Sequence, residues 1–162
     1  MKRILSKSLD DTLRIASEWL ASLEKKEDEA LVVGLSGNLG SGKTAFVKAV
    51  AKELGIKEPV TSPTFVIEKI YTIGSNGGND PQKSYGGDTS VKSSFGRLVH
   101  IDAYRLESAR ELEVLNFEEL VGDPNNLILI EWPENVREIL PEGALTIKCE
   151  FVSETEREYG FE

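Results

Sequence analysis

The sequence predicts a three-layer α/β domain with a mostly parallel central sheet flanked by helices. Two observations carry that reading. Short apolar runs of strand length alternate along the chain with stretches of helical periodicity. One of those runs, Ala30 to Leu35, passes through a glycine-rich loop directly into a helical stretch at Ala45 to Leu54. At 162 residues the chain has the length of one domain, residues 1–162, with a core of ordinary size.

The elements follow in order. Ser8 is placed to cap a helix with Asp10 and Asp11 in its first turn, and Leu9, Leu13, Ala16, Leu20 and Leu23 recur at four- and three-residue steps along it. The charged stretch from Glu24 to Glu29 reads as a solvated connection into the first strand. The helix after the glycine loop buries Phe46, Val47, Val50 and Leu54 and stops at Gly55. Further strands are expected at Phe65 to Ile73, Arg97 to Ile101, Leu127 to Ile130 and Leu145 to Val152, and further helical stretches at Ser108 to Leu115 and Pro133 to Leu140. Between two of those strands, Gly74 to Gly96 is rich in Gly, Ser, Asn and Asp and reads as a flexible loop insertion, either a tolerated surface segment or a lid.

The glycine loop carries the chemistry. Gly37, Asn38, Leu39, Gly40, Ser41, Gly42, Lys43 and Thr44 fit G-x-x-x-x-G-K-[ST] in full, the phosphate loop of P-loop NTPase-like domains. Glycines let successive backbone N–H groups turn inward around an anion, and the helix opening at Ala45 adds the positive end of its dipole. Lys43 is placed to reach the β- and γ-phosphates, and the Thr44 hydroxyl to hold Mg²⁺. Two apolar strands end in acids, Leu98 to Asp102 and Leu127 to Glu131, at the sheet edge where ligands of open α/β sheets bind. Either acid can hold Mg²⁺ or orient an attacking water. Thr61-Ser62-Pro63-Thr64 reads as an extended X-Pro turn or as a switch loop whose hydroxyl meets metal or γ-phosphate. His100 reads as a hydrogen-bonded core histidine, and Arg105 as either a charge stabiliser or a surface ion-pair partner.

Composition narrows the function. Nineteen basic residues against 28 acidic give a net charge of −9, which argues against a broad nucleic-acid surface on this chain. The single cysteine, Cys149, lies in an alternating run and reads as a small core residue. The N-terminal residues lack a signal-peptide-like apolar stretch and no run approaches the ~20 residues of a membrane span, so a cytoplasmic location is expected. The segment from Gly74 to Gly96 offers only Lys83 and Lys92, short of the arginine-bearing lid expected of a small-molecule kinase. A nucleotide-sensing adaptor that does not hydrolyse ATP would keep the same binding residues. No Asn-Lys-x-Asp guanine-reading motif occurs.

Taken in order, GNLGSGKT, Ser62-Pro63-Thr64-Phe65, His100-Ile101-Asp102-Ala103-Tyr104-Arg105-Leu106 followed by Glu111-Leu112-Glu113, and Ile130-Glu131-Trp132-Pro133 resemble the TsaE family, small P-loop ATPases of bacterial threonylcarbamoyladenosine tRNA modification. The resemblance spans Leu9 to Phe151. It implies that Lys43 and Thr44 bind the phosphates of ATP and Mg²⁺, that Glu131 is the metal-associated acid, and that Asp102 belongs to the catalytic centre. Trp132 is implied as a neighbour of that centre and Thr12 as a residue near the nucleotide. The implied partners are the transferase that modifies adenosine in tRNAs reading codons that begin with A, and its paralogous partner subunit (TsaD and TsaB). Asn38 stands where the family more usually has an acid, and the Gly74 to Gly96 loop is longer than its usual pattern.

Overall fold

The structure is a computed structural model that describes residues 2–63, 65–74 and 94–162; Thr64 and residues 75–93 of the predicted loop insertion lie outside the described residues. In chain order the elements are β1 (Lys2–Ser6), α1 (Leu9–Ala21), β2 (Leu31–Ser36), α2 (Lys43–Glu53), β3 (Glu68–Thr72), β4 (Arg97–Asp102), α3 (Arg110–Glu113), α4 (Phe117–Val121), β5 (Asn126–Glu131), a 3₁₀ segment at Pro133–Ile139, β6 (Leu145–Phe151) and β7 (Arg157–Phe161).

The strands form one sheet in the order β1-β7-β6-β2-β5-β4-β3. Its four central strands, β6, β2, β5 and β4, run parallel, and antiparallel strands close both edges. Strands buried on both faces must be apolar throughout, which is why Leu127 to Ile130 and Leu31 to Val33 read as continuous apolar runs. One face packs Val33 and Leu35 of β2, with Leu127 and Leu129 of β5, against Ile15, Ala16 and Leu20 of α1 and Phe46, Val47 and Val50 of α2. The other packs Val32, Val99, Ile101, Ile128 and Ile130 under Leu106, Leu112, Phe117 and Val136. The sheet and these two covering faces make the three layers, as the sequence predicts.

Local chemistry explains the first helix start. Ser8 Oγ accepts from Asp11 N at 3.1 Å, and Asp11 Oδ2 accepts from Lys7 N at 3.0 Å, a reciprocal cap that fixes where α1 begins.

Several elements differ from expectation. The strand expected from Phe65 begins only at Glu68, because the chain after Pro63 turns: Val66 N and Ile67 N both donate to Pro63 O, and Ile67 takes a left-handed conformation (φ 66°). Phe65 and Val66 are left exposed. The helix expected at Ser108 to Leu115 is confined to the single turn Arg110–Glu113, and a separate helix follows Asn116. The helical stretch expected at Pro133 to Leu140 is present as a 3₁₀ segment, Pro133–Ile139, with a break at Val136 (φ −132°). The short strands β1 and β7 were not expected from their sequence.

Cys149 is buried, as expected of a core residue, and burial pushes its thiol up to about 12. It should resist a thiol reagent at pH 8 in the native chain and react promptly once the chain is unfolded; rapid native labelling would mean that β6 opens readily.

Candidate functional site

The parallel register brings the two strand-ending acids side by side. Glu131 at the end of β5 pairs with Asp102 at the end of β4 on one side and with Leu35 of β2 on the other, directly before the phosphate loop. Both acids are nearly fully buried. The loop leaves β2 and enters α2 through Gly42, which is the N-cap of α2 in a left-handed conformation with no side-chain cap. The first N–H groups of an uncapped helix are donors in search of an acceptor, so this end of α2 suits an anion.

Gly37 makes the loop possible. Its φ is 138°, and a Cβ there would stand 2.1 Å from Cys149 O, so no other residue fits between the loop and β6. Gly34 plays a different part. A side chain there would meet Pro133 Cβ at 2.8 Å, so its absence lets the segment after β5 lie against the sheet.

Lys43 is only 4% exposed. Its ammonium donates to Gly37 O at 2.6 Å and Asn38 O at 2.9 Å and lies 3.8 Å from the centre of the Trp132 ring. Burial lowers its pKa and the Glu131 carboxylate acts in the opposite direction. Trp132 reaches this position from a left-handed conformation (φ 61°), which costs a bulky residue about 1 kcal/mol. Its amide donates to Leu35 O, its carbonyl accepts from Asn135 N, and its ring packs against Tyr104 at 5.0 Å.

The Thr44 hydroxyl lies 2.8 and 2.9 Å from the two Glu131 oxygens and donates to that carboxylate. His100 Nε2 stands 2.8 Å from Glu131 Oε1; a carboxylate only accepts, so Nε2 carries the proton. His100 is thus the hydrogen-bonded core histidine the sequence suggests, but its partner is the site's own acid. Asp102 is held from two directions, by Ser62 Oγ at 2.7 Å and by Tyr104 N at 3.0 Å.

These groups line a cleft of about 410 Å³: Leu39, Gly40, Gly42, Lys43, Thr44, Ala45, Ser62, Asp102, Tyr104, Glu131 and Trp132. Gly37 and Asn38 serve it through their carbonyls on Lys43. Ser41 is buried, and among the described residues its hydroxyl has no hydrogen-bond partner. Thr12 does not line the cleft; its hydroxyl is bonded to Ser6 Oγ at 2.8 Å and donates to Ser8 O at 3.3 Å, while the Tyr159 hydroxyl reaches Gly42 O at 3.5 Å. Arg105 stacks its guanidinium 4.4 Å from the ring of Phe65. The sequence reading named neither Tyr104 nor Tyr159 as part of the site. Tyr104 is marked by its place two residues past Asp102; Tyr159 has no local signal, because only the pairing of β7 with β6 brings it to the loop.

The family model described as threonylcarbamoyl adenosine biosynthesis protein TsaE matches residues 6–159. The chain belongs to the TsaE family. It is 34% identical to the tRNA threonylcarbamoyladenosine biosynthesis protein TsaE of Treponema pallidum over 96% of each chain. It is 36% identical to the protein of the same description from Bacillus subtilis, over 80% of this chain and 68% of that one. The crystal structure of Bacillus subtilis YdiB superposes with a TM-score of 0.67 at 26% identity, covering 99% of this chain and 83% of that one. The fold is accordingly the P-loop fold of this TsaE family. Among the described residues no helix is long and apolar enough to cross a membrane.

Proposed function

We propose that this chain is an Mg²⁺-dependent ATPase that serves threonylcarbamoyladenosine modification of tRNA in the cytoplasm, working with the transferase subunit and its paralogous partner, TsaD and TsaB. The observation that carries the proposal is the Thr44 hydroxyl bonded to Glu131 at the foot of an uncapped helix, with Lys43 beside them. A hydroxyl and a carboxylate oxygen form a hard donor set suited to Mg²⁺, which takes few protein oxygens and keeps several waters. When bound, Mg²⁺ neutralises charge on the β- and γ-phosphates.

The residues divide the work. The loop amides and the start of α2 bind phosphate, Lys43 supplies positive charge to the terminal phosphates, and Thr44 with Glu131 holds the metal. Asp102, fixed by Ser62 and the Tyr104 amide, is within the cleft to orient the attacking water. Trp132 covers Lys43 and keeps solvent from its ammonium. Thr64, following Ser62 and Pro63, belongs to the segment that responds to loss of the γ-phosphate.

The test is ADP production by the purified chain with Mg-ATP, alone and with the two partner proteins. Slow turnover that rises on adding them is expected. Turnover indifferent to the partners but dependent on a small acceptor would replace this reading with a kinase, and binding without turnover in either condition would replace it with a nucleotide-sensing adaptor.

A further inference from the structure

A groove of about 520 Å³ lies on the face of the sheet that α3 and α4 cover. One wall is β3, with Glu68 and Ile70; the other is α4 and the residues before it, with Leu115, Glu119 and Leu120. Asn126, the first residue of β5, closes one end. The groove shares no residue with the nucleotide cleft.

It holds two acceptors without donors. Asn126 is fully buried; its Nδ2 donates to Leu120 O at 2.9 Å, which fixes the amide's orientation, and among the described residues its Oδ1 has no partner. Glu68 Oε2 is likewise buried without a partner among the described residues, and burial raises the pKa of that carboxyl. Arg97, the register partner of Asn126, is paired with Asp123 and satisfies neither acceptor. A buried acceptor without a donor is costly, and native chains keep few of them.

Register gives the spacing. Glu68 stands opposite Ile101, and Asn126 stands opposite Arg97, four residues back along β4. The two residues are therefore about 13 Å apart along the strands and about 10 Å apart across them. They share a face of the sheet, because register partners and alternate residues of a strand lie on one side. A single ammonium group cannot serve both. Between them lie Leu115, Leu120 and the half-exposed Ile70, an apolar stretch suited to methylene groups, with the exposed Glu119 carboxylate on the wall above.

We propose that this groove binds a linear diamine or polyamine, with one ammonium group at Glu68, another at Asn126 and the methylene chain laid along Ile70, Leu115 and Leu120. An ammonium group only donates, so two of them complete both acceptors, and the carboxylates of Glu68 and Glu119 attract their charge. The site is independent of the nucleotide reading and stands or falls without it.

Calorimetric titration of the full chain with diaminooctane and with diaminobutane, each with its amines at the two chain ends, tests the proposal, since the two probes carry the same charge and differ in length. Diaminooctane is expected to bind at least about tenfold more tightly. Glu68→Gln keeps the size of the side chain but removes its charge, and is expected to weaken diaminooctane about tenfold. Glu113→Gln, at an exposed acid of α3 outside the groove, is expected to change binding by less than about twofold. Asn126→Ala is expected to weaken diaminooctane about fivefold. Thermal unfolding shows whether that variant folds; if it does not, the length comparison and Glu68→Gln decide. Equal affinity for the two diamines, or equal losses in Glu68→Gln and Glu113→Gln, would overturn the site and reduce the binding to general attraction toward a chain of net charge −9. Failure of diaminooctane to bind the unaltered chain would overturn it as well.

Discussion

Lys43→Ala is expected to remove measurable binding of Mg-ATP and to lower turnover by at least about 10³-fold, since loss of one charged donor aimed at developing charge costs roughly 10²–10³-fold before any loss of affinity is added. The geometry separates this from a folding defect. The ammonium bonds to the carbonyls of Gly37 and Asn38 and rests on Trp132, all at the cleft, and water can replace it there. Thermal unfolding should therefore move by only a few degrees. Lys43→Arg is a useful companion, because a longer planar head cannot occupy the space between two carbonyls and an indole and should not restore activity. Turnover by Lys43→Ala at the level of the unaltered chain would sink the ATPase assignment.

Glu131→Gln should divide binding from chemistry. The carboxylate is 3% exposed and is bonded by Thr44 and by His100. Glutamine preserves its size and one acceptor but brings an N–H₂ group where both neighbours donate, and it removes the negative charge that pairs with a cation. Turnover is expected to fall about 10²–10³-fold. Affinity for Mg-ATP should change less than about tenfold, because the proposed site holds the phosphates by the loop and Lys43. Titrating Mg²⁺ in the ADP assay checks the cause: the variant should need more metal for half-maximal turnover. An unchanged metal requirement with normal turnover would mean that Glu131 is a structural acid serving only Thr44 and His100.

The fold was legible where burial dictates pattern. β2, β4 and β5 are buried strands, so their apolar runs announced both their existence and their limits to within a residue or two. β1 and β7 lie at one end of the sheet and are short and largely polar, Lys2–Ser6 and Arg157–Phe161. In the sheet β1 is held only by its pairing with β7 from the far end of the chain, which no local window contains, and β7 lies between β1 and β6 with little apolar pattern of its own. The turn at Pro63–Ile67 was hidden for a similar reason: Phe65, Val66 and Ile67 have strand propensity, but backbone bonds to Pro63 O override it. In the site, the loop and both acids were readable because their spacing is the chemistry. What ties them together was not: His100 on Glu131, Ser62 on Asp102 and Tyr159 against Gly42 are contacts between residues far apart in sequence.

The groups proposed to bind phosphate and metal already have partners within the chain. Lys43 has two carbonyls and Thr44 has a carboxylate, so ligand capture is an exchange of partners rather than a gain of them. The net enthalpy is then the small difference between internal bonds given up and new ones made, while little ordering entropy is lost on a loop that is held in shape beforehand. An arrangement of this kind also works in reverse. In the proposed ATPase cycle the same carbonyls and the same carboxylate would take back Lys43 and Thr44 when product departs, so the protein itself would assist release and return the loop intact for the next nucleotide.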